Sequence, residues 1–281
     1  MKKIINLFEL LFLLIGTTSF AQKSTVLFDT TQITPSISWN FPDTSNHLYL
    51  RQLRTDYALS TLLEGRKSDV EKVLSVLNWT HQQWKHNGSN MPSKSDALTI
   101  LKEAKNGKKF RCVEYGIVSS SALLALNYKA RVLGLCTKKV ETAKFSAGHV
   151  LAEVWLPEFN KWALIDGQYN IMPVLNGVPL NAAEFQSAIA QKKKFKLVDI
   201  NGTVSKWRRF LYLRFIRRYL YYFNVGFGEG SNINEKQKSI DGKTTLYLVP
   251  IGAKNPTVFQ RKFPIKNALY TNSTKDFYKK P

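Results

Sequence analysis

The chain has 281 residues, 44% of them apolar and 22% charged, shares that fit an ordinary globular protein and no fibrous or low-complexity one. Forty-one Lys and Arg against 20 Asp and Glu leave a net charge of +21, a field that attracts anionic surfaces and carries no information about fold. Two cysteines and four histidines offer no metal-ligand spacing: His81 and His86 are five apart, on different faces of a helix, so neither a metal nor a cofactor is expected.

Lys2 and Lys3, the apolar run from Ile4 to Ile15 and the small-x-small Ser19-Phe20-Ala21 read as a signal peptide over residues 1–21. The apolar run is shorter than the ~20 residues a membrane span needs. No other stretch is apolar for long enough, so an exported protein, periplasmic or secreted, is expected. Removing Lys2, Lys3 and Glu9 changes +21 to +20. For such a protein, envelope lipids or polymers fit the charge better than nucleic acid does.

Residues 22–66 read as a polar arm, broken by Pro35 and Pro42, leading into a helix near Leu48 to Leu63 that ends at Gly65. Ser68 with Glu71 three residues on marks the start of a second helix. Its apolar positions Val70, Val73, Leu74 and Leu77 recur at helical spacing as far as Trp84. Ser95 or Asp96 caps a short helix through Ile100 and Leu101, and Asn106-Gly107 turns the chain. A helix then begins at Cys112 and runs to Leu126, apolar nearly all round as a buried central helix is, with Asn127 in the left-handed closing position. Lys129 to Thr137 alternates as a strand. His149 to Leu156, the turn 157–160 and Lys161 to Asp166 read as a hairpin. Ala182 to Lys193 reads as a helix. Lys192 to Arg218 interleaves ten Lys or Arg with aromatics and shows neither a clean helical stripe nor strict alternation. Thr245 to Ile251 reads as a strand, and the end, Phe277 to Pro281, as coil.

The chemistry lies in the order cysteine, histidine, acid. A thiol attacks as thiolate, and a helix N-terminus with a nearby imidazolium favours that form; Cys112 has the first by position. If the turn 157–160 pairs Leu156 with Lys161, Leu151 pairs with Asp166. His149 then lies on the same face as Asp166, one diagonal step away and within side-chain reach. A slip by one residue would separate them. An acid beside the imidazole fixes its tautomer and favours its charged form. The competing reading of Cys112 is a disulfide to Cys136.

Arg111-Cys112-Val113-Glu114-Tyr115, Ala130 to Leu135, Gly148 to Trp155 and Lys161 to Asp166 together resemble the transglutaminase-like superfamily, a papain-like cysteine fold. The resemblance covers residues from about 68 to 170. It implies an α+β core in which a central helix carrying the cysteine packs on an antiparallel sheet. It further implies a Cys112 nucleophile, a His149 base and an Asp166 orienter. Family enzymes also place an oxyanion donor, commonly Trp or Gln, upstream of the cysteine, which here makes Trp84, Gln83 or Gln82 the candidates. The chain departs from the family at Arg111, where a small residue is common, and at Gly167, where Pro is common. Arg111 is thereby a place where substrate preference could differ.

The expected organisation is thus residues 1–21 signal peptide, 22–66 arm and helix, 67–180 transglutaminase-like core and 181–281 basic aromatic C-terminal extension. The expected function is that of a thiol enzyme acting on protein or peptide amides through an acyl-enzyme, as peptidase, deamidase or transglutaminase. The alternative is a non-catalytic binding module for an anionic envelope surface, worked by the C-terminal region. In the extension itself, aromatics at this density are expected to pack as core, with the charges solvated.

Overall fold

The computed structural model describes residues 26–34, 36–39, 41, 47–228 and 239–281; the expected signal peptide, with Pro35 and Pro42 of the arm, lies outside the described residues. The first helix is shorter than expected. Helix α1 (Leu48–Asp56) stops, Ala58 turns left-handed at φ 48°, and a 3-10 turn follows at Leu59–Leu63. A continuous helix would place Leu59 half a turn round from Leu50. The break lets both be fully buried.

Helix α2 (Asp69–Gln82) starts where Ser68 Oγ accepts from the Glu71 N–H at 3.2 Å, and α3 (Ala97–Lys105) where Asp96 accepts from Thr99 N–H at 2.9 Å. Helix α4 (Cys112–Ala125) is buried from Glu114 to its end, and Asn127 follows at φ 66°. Strands β1 (Ala130–Cys136), β2 (Gly148–Leu156) and β3 (Lys161–Ile165) come next. The hairpin has the register that its turn dictates, Leu156 opposite Lys161 and Ala152 opposite Ile165. Asp166 itself leaves that ladder and bridges to Ile171 instead of Leu151, which preserves its face.

Beyond the hairpin lie β4 (Met172–Leu175), β5 (Val178–Pro179), α5 (Ala182–Ala190), β6 (Lys196–Asp199), β7 (Gly202–Thr203) and α6 (Lys206–Ile216). The chain ends with β8 (Tyr222–Gly226), β9 (Thr245–Leu248), β10 (Val258–Phe259), β11 (Phe263–Pro264), β12 (Ala268–Thr271) and α7 (Thr274–Phe277). Helix α5 falls short of Lys193 because Lys192 is left-handed, φ 54°. β9 ends two residues before Pro250, which has no N–H for a ladder. The tail is not free coil: Phe277 is fully buried, and the Trp162 indole donates to the Lys279 carbonyl at 3.1 Å.

Six strands form the main sheet in the order β12-β9-β8-β1-β2-β3, antiparallel except for β12 beside β9. One core lies between α1–α4 and the sheet residues Ala130, Ala152, Val154 and Ile165. A second gathers Leu133, Leu135, Leu151 and Leu164 under α5, α6 and the C-terminal strands, and a small third one holds Cys136, Val140 and Tyr247. The strands after α6 therefore complete the sheet that carries the hairpin.

Two glycines bring α4 close to the hairpin. A Cβ on Gly116 would stand 2.9 Å from the Leu151 carbonyl oxygen and 3.0 Å from Val150 Cγ1. One on Gly167 would stand 2.7 Å from Ser119 Oγ and 3.3 Å from Tyr115 Cβ. A side chain at Gly116 would push the helix that begins with Cys112 away from the strand that carries His149. The departure at Gly167 has the same cause, since proline also carries a Cβ.

Candidate active site

The three residues picked out by order and parity meet. His149 Nε2 lies 2.8 Å from Asp166 Oδ2, with 2% and 0% of the two side chains exposed. Cys112 stands close enough to the imidazole to help raise its pKa. With Nε2 held by the carboxylate, Nδ1 is the nitrogen left for the sulfur. Burial opposes the charge on His149, but the Asp166 carboxylate and then Cys112 outweigh it, and the pKa rises to about 9.

Asp166 is itself held from two further sides. Oδ2 also accepts from the Tyr212 hydroxyl at 3.1 Å, and Oδ1 accepts from the Tyr169 N–H at 3.2 Å. Around the imidazole stand Phe215 at 5.0 Å, Tyr219 at 5.8 Å and Tyr169 at 6.2 Å, between ring centres. Tyr212 and Phe215 belong to α6 and Tyr219 follows it, so the basic aromatic region forms one wall of the site.

Both cysteines are free, which removes the disulfide reading. Cys112 opens α4 and is partly exposed, whereas Cys136 is buried and its pKa is pushed up to about 12 by burial. Arg111, with 23% of its side chain exposed, turns its guanidinium to Glu114. Its guanidinium holds the buried Glu114 through Nη2 at 2.6 Å and Nε at 3.3 Å, and its own N–H donates to the same carboxylate at 3.0 Å. That pairing offsets a negative charge in the first turn of α4, next to the sulfur.

The oxyanion candidates separate. Gln83 donates its amide to the Trp79 carbonyl at 2.8 Å, within its own helical turn. Trp84 packs on Phe110 and Tyr115, two residues before and three after Cys112, at 5.8 and 4.4 Å. Its buried indole N–H has no partner among the described residues, so it is a donor still to be used. Gln82, the last residue of α2, is exposed.

Sequence reasoning missed Tyr169, Tyr212, Phe215 and Tyr219. It also passed over His86, whose pKa is lowered first by burial and next by the charge on His149. For Tyr212 and Phe215 the only local signal was the aromatic density of α6, which does not say which face turns inward. Among the described residues no group of His, Cys, Asp or Glu could hold a metal.

Residues 57–167 match the model of the transglutaminase-like superfamily, a span that holds Cys112, His149 and Asp166. No curated protein matches the chain. A solved structure from Cytophaga hutchinsonii, described as a "putative cysteine protease", is similar at 14% identity and a TM-score of 0.33. The similarity covers 60% of this chain and 55% of that one, so the chain spans little more than half of that protein.

Proposed function

From a transglutaminase-like core at residues 57–167, we propose an exported cysteine-dependent enzyme that acts on protein or peptide amide bonds through an acyl-enzyme. The observation that carries this reading is the buried His149–Asp166 contact of 2.8 Å, with Cys112 near enough to the same imidazole to raise its pKa. In the mechanism, Cys112 Sγ attacks the amide carbon while the His149 imidazolium gives its proton to the departing amine. His149 then takes a proton from the incoming water, whose oxygen attacks the thioester carbon, releasing the acid and restoring the thiolate–imidazolium pair. Asp166 keeps the second nitrogen protonated throughout. Trp84 Nε1 and the first-turn N–H groups of α4 are the donors for the oxyanion. Hydrolysis is preferred over transfer to an amine, because water is always present and no amine site stands out.

Iodoacetamide tests the nucleophile without a known substrate. A charged imidazole beside the sulfur favours the thiolate, and His149 keeps its charge until the pH passes about 9. Cys112 should therefore be alkylated at pH 6 at least ~100-fold faster than the buried Cys136. Amide turnover, which needs the imidazolium as acid, should fall as pH rises through about 9. Labelling of Cys112 at pH 6 no faster than that of Cys136 would reject the reading.

A second role for the same chain rests on the outer face of α6. Trp207, Phe210 and Leu211, spaced for one helical stripe, are 66%, 53% and 43% exposed, with Lys206, Arg214 and Arg217 exposed around them. Exposed aromatics among basic residues suit an anionic lipid surface. Vesicles containing phosphatidylglycerol should sediment the protein and its Cys112→Ala variant equally, and Trp207→Ala/Phe210→Ala much less. Equal binding to purely zwitterionic vesicles would refute the lipid contact.

A further inference from the structure

Arg218, two residues after the end of α6, lies at the surface. Its guanidinium stacks on Tyr219 at 4.6 Å and Phe215 at 5.3 Å, and Nη2 donates to the Tyr219 hydroxyl at 2.7 Å. Both rings also pack on the His149 imidazole, at 5.8 and 5.0 Å. One layer of aromatic side chains thus separates a fixed cation from the catalytic base.

Arg208 and Arg209 of α6 are occupied. Arg208 pairs with Asp199, and Arg209 donates to the Phe195 carbonyl at 2.9 Å while stacking on the Phe195 ring. Arg218 is in no ion pair with a carboxylate among the described residues. A guanidinium has five N–H donors in a planar fork that matches a carboxylate. One of the five goes to Tyr219, and the stacking fixes the plane of the rest. The hydroxyls of Tyr169 and Tyr219 each feel both the Arg218 charge and Cys112, so cation and sulfur lie near the same two phenols.

We infer that Arg218 anchors a subsite for a carboxylate of the substrate, held beside the acyl group that Cys112 attacks. This rests on the thiol-enzyme reading and narrows its substrate class to acidic peptides or amides. The contact orders the substrate and takes no part in bond making.

Bromoacetamido carboxylates with one to five methylenes between the amide and the carboxylate, each compared with its own carboxamide, test the subsite directly. Cys112 Sγ displaces bromide in every case, so only the remote group differs. At least one carboxylate should alkylate Cys112 tenfold or more faster than its carboxamide, with a rate that saturates. Arg218→Gln should abolish that preference and leave the iodoacetamide rate within twofold. Arg217→Gln, the same loss of charge on the exposed neighbour, should keep the preference. No preference at any length, a preference that survives Arg218→Gln, or an equal loss in Arg217→Gln would overturn the subsite. Slow reaction of the unmodified protein with iodoacetamide would instead sink the thiol-enzyme reading beneath it.

Discussion

Asp166→Asn is expected to lower amide turnover by about 10³–10⁴-fold with little change in substrate affinity. The reason is a conflict of donors that an amide cannot resolve. In the native site Oδ2 accepts from both His149 and Tyr212, and Oδ1 accepts from the Tyr169 N–H. If asparagine turns its oxygen toward His149, its NH2 faces the Tyr169 N–H. If it turns the other way, the NH2 meets Nε2 and the Tyr212 hydroxyl, and the imidazole is held in the wrong tautomer. Cys112→Ala should be at background for peptide release, ammonia release and amine incorporation alike. Adding His149→Ala to it should cost nothing more, because residues that act as one unit are not additive. Casein turnover followed by all three readouts would check this. Turnover in Asp166→Asn within tenfold of the unmodified protein, or any activity left in Cys112→Ala, would remove the mechanism.

The contacts of Asp166 also explain what the sequence could and could not reveal. His149 and Asp166 share a face because strands alternate and a four-residue turn fixes the pairing, and both facts are local. The observed register, Leu156 opposite Lys161, is the one that the turn implies. Tyr212 lies 46 residues from Asp166 and reaches it through tertiary packing alone. Helix α6 hid this role because it is apolar on two faces. Tyr212, Leu213 and Ile216 turn inward, while Trp207, Phe210 and Leu211 turn out, so no single stripe marks the buried side. The break at Ala58 was equally hidden, since nothing in the helical spacing before it announces a left-handed alanine. Arg111 misled for a different reason: its partner Glu114 was in plain view one turn on, and a charged residue beside a nucleophile draws a functional explanation first.

Arg131→Met should destabilise the fold by about 3–5 kcal/mol, the usual cost of stranding one member of a buried ion pair. Arg131 is 2% exposed and sits directly opposite the fully buried Glu153 on β1 and β2. It donates to Glu153 Oε2 through Nη2 at 2.7 Å and Nε at 3.1 Å, and to the Phe277 carbonyl through Nη1 at 3.0 Å. Four rings surround the guanidinium: Trp162 at 4.2 Å, Trp39 at 4.9 Å, Phe277 at 5.0 Å and Tyr278 at 5.5 Å. The arm, the hairpin and the tail therefore converge on one cation. Burial raises the Glu153 pKa, and Arg131 opposes that rise more than the Ala182 N–H and the Tyr278 side chain do, so in the variant burial is less opposed and the carboxyl is more readily protonated. The sign follows: a group that binds protons more tightly when folded gains stability as pH falls. The penalty of Arg131→Met should accordingly be smaller at pH 5 than at pH 8, and Arg131→Met/Glu153→Leu should recover most of it at both. At ~2–4 °C per kcal/mol for a chain of this size, thermal unfolding resolves the difference easily. A single variant that unfolds within ~2 °C of the native protein at pH 8 would mean that the pair does not hold these three segments together.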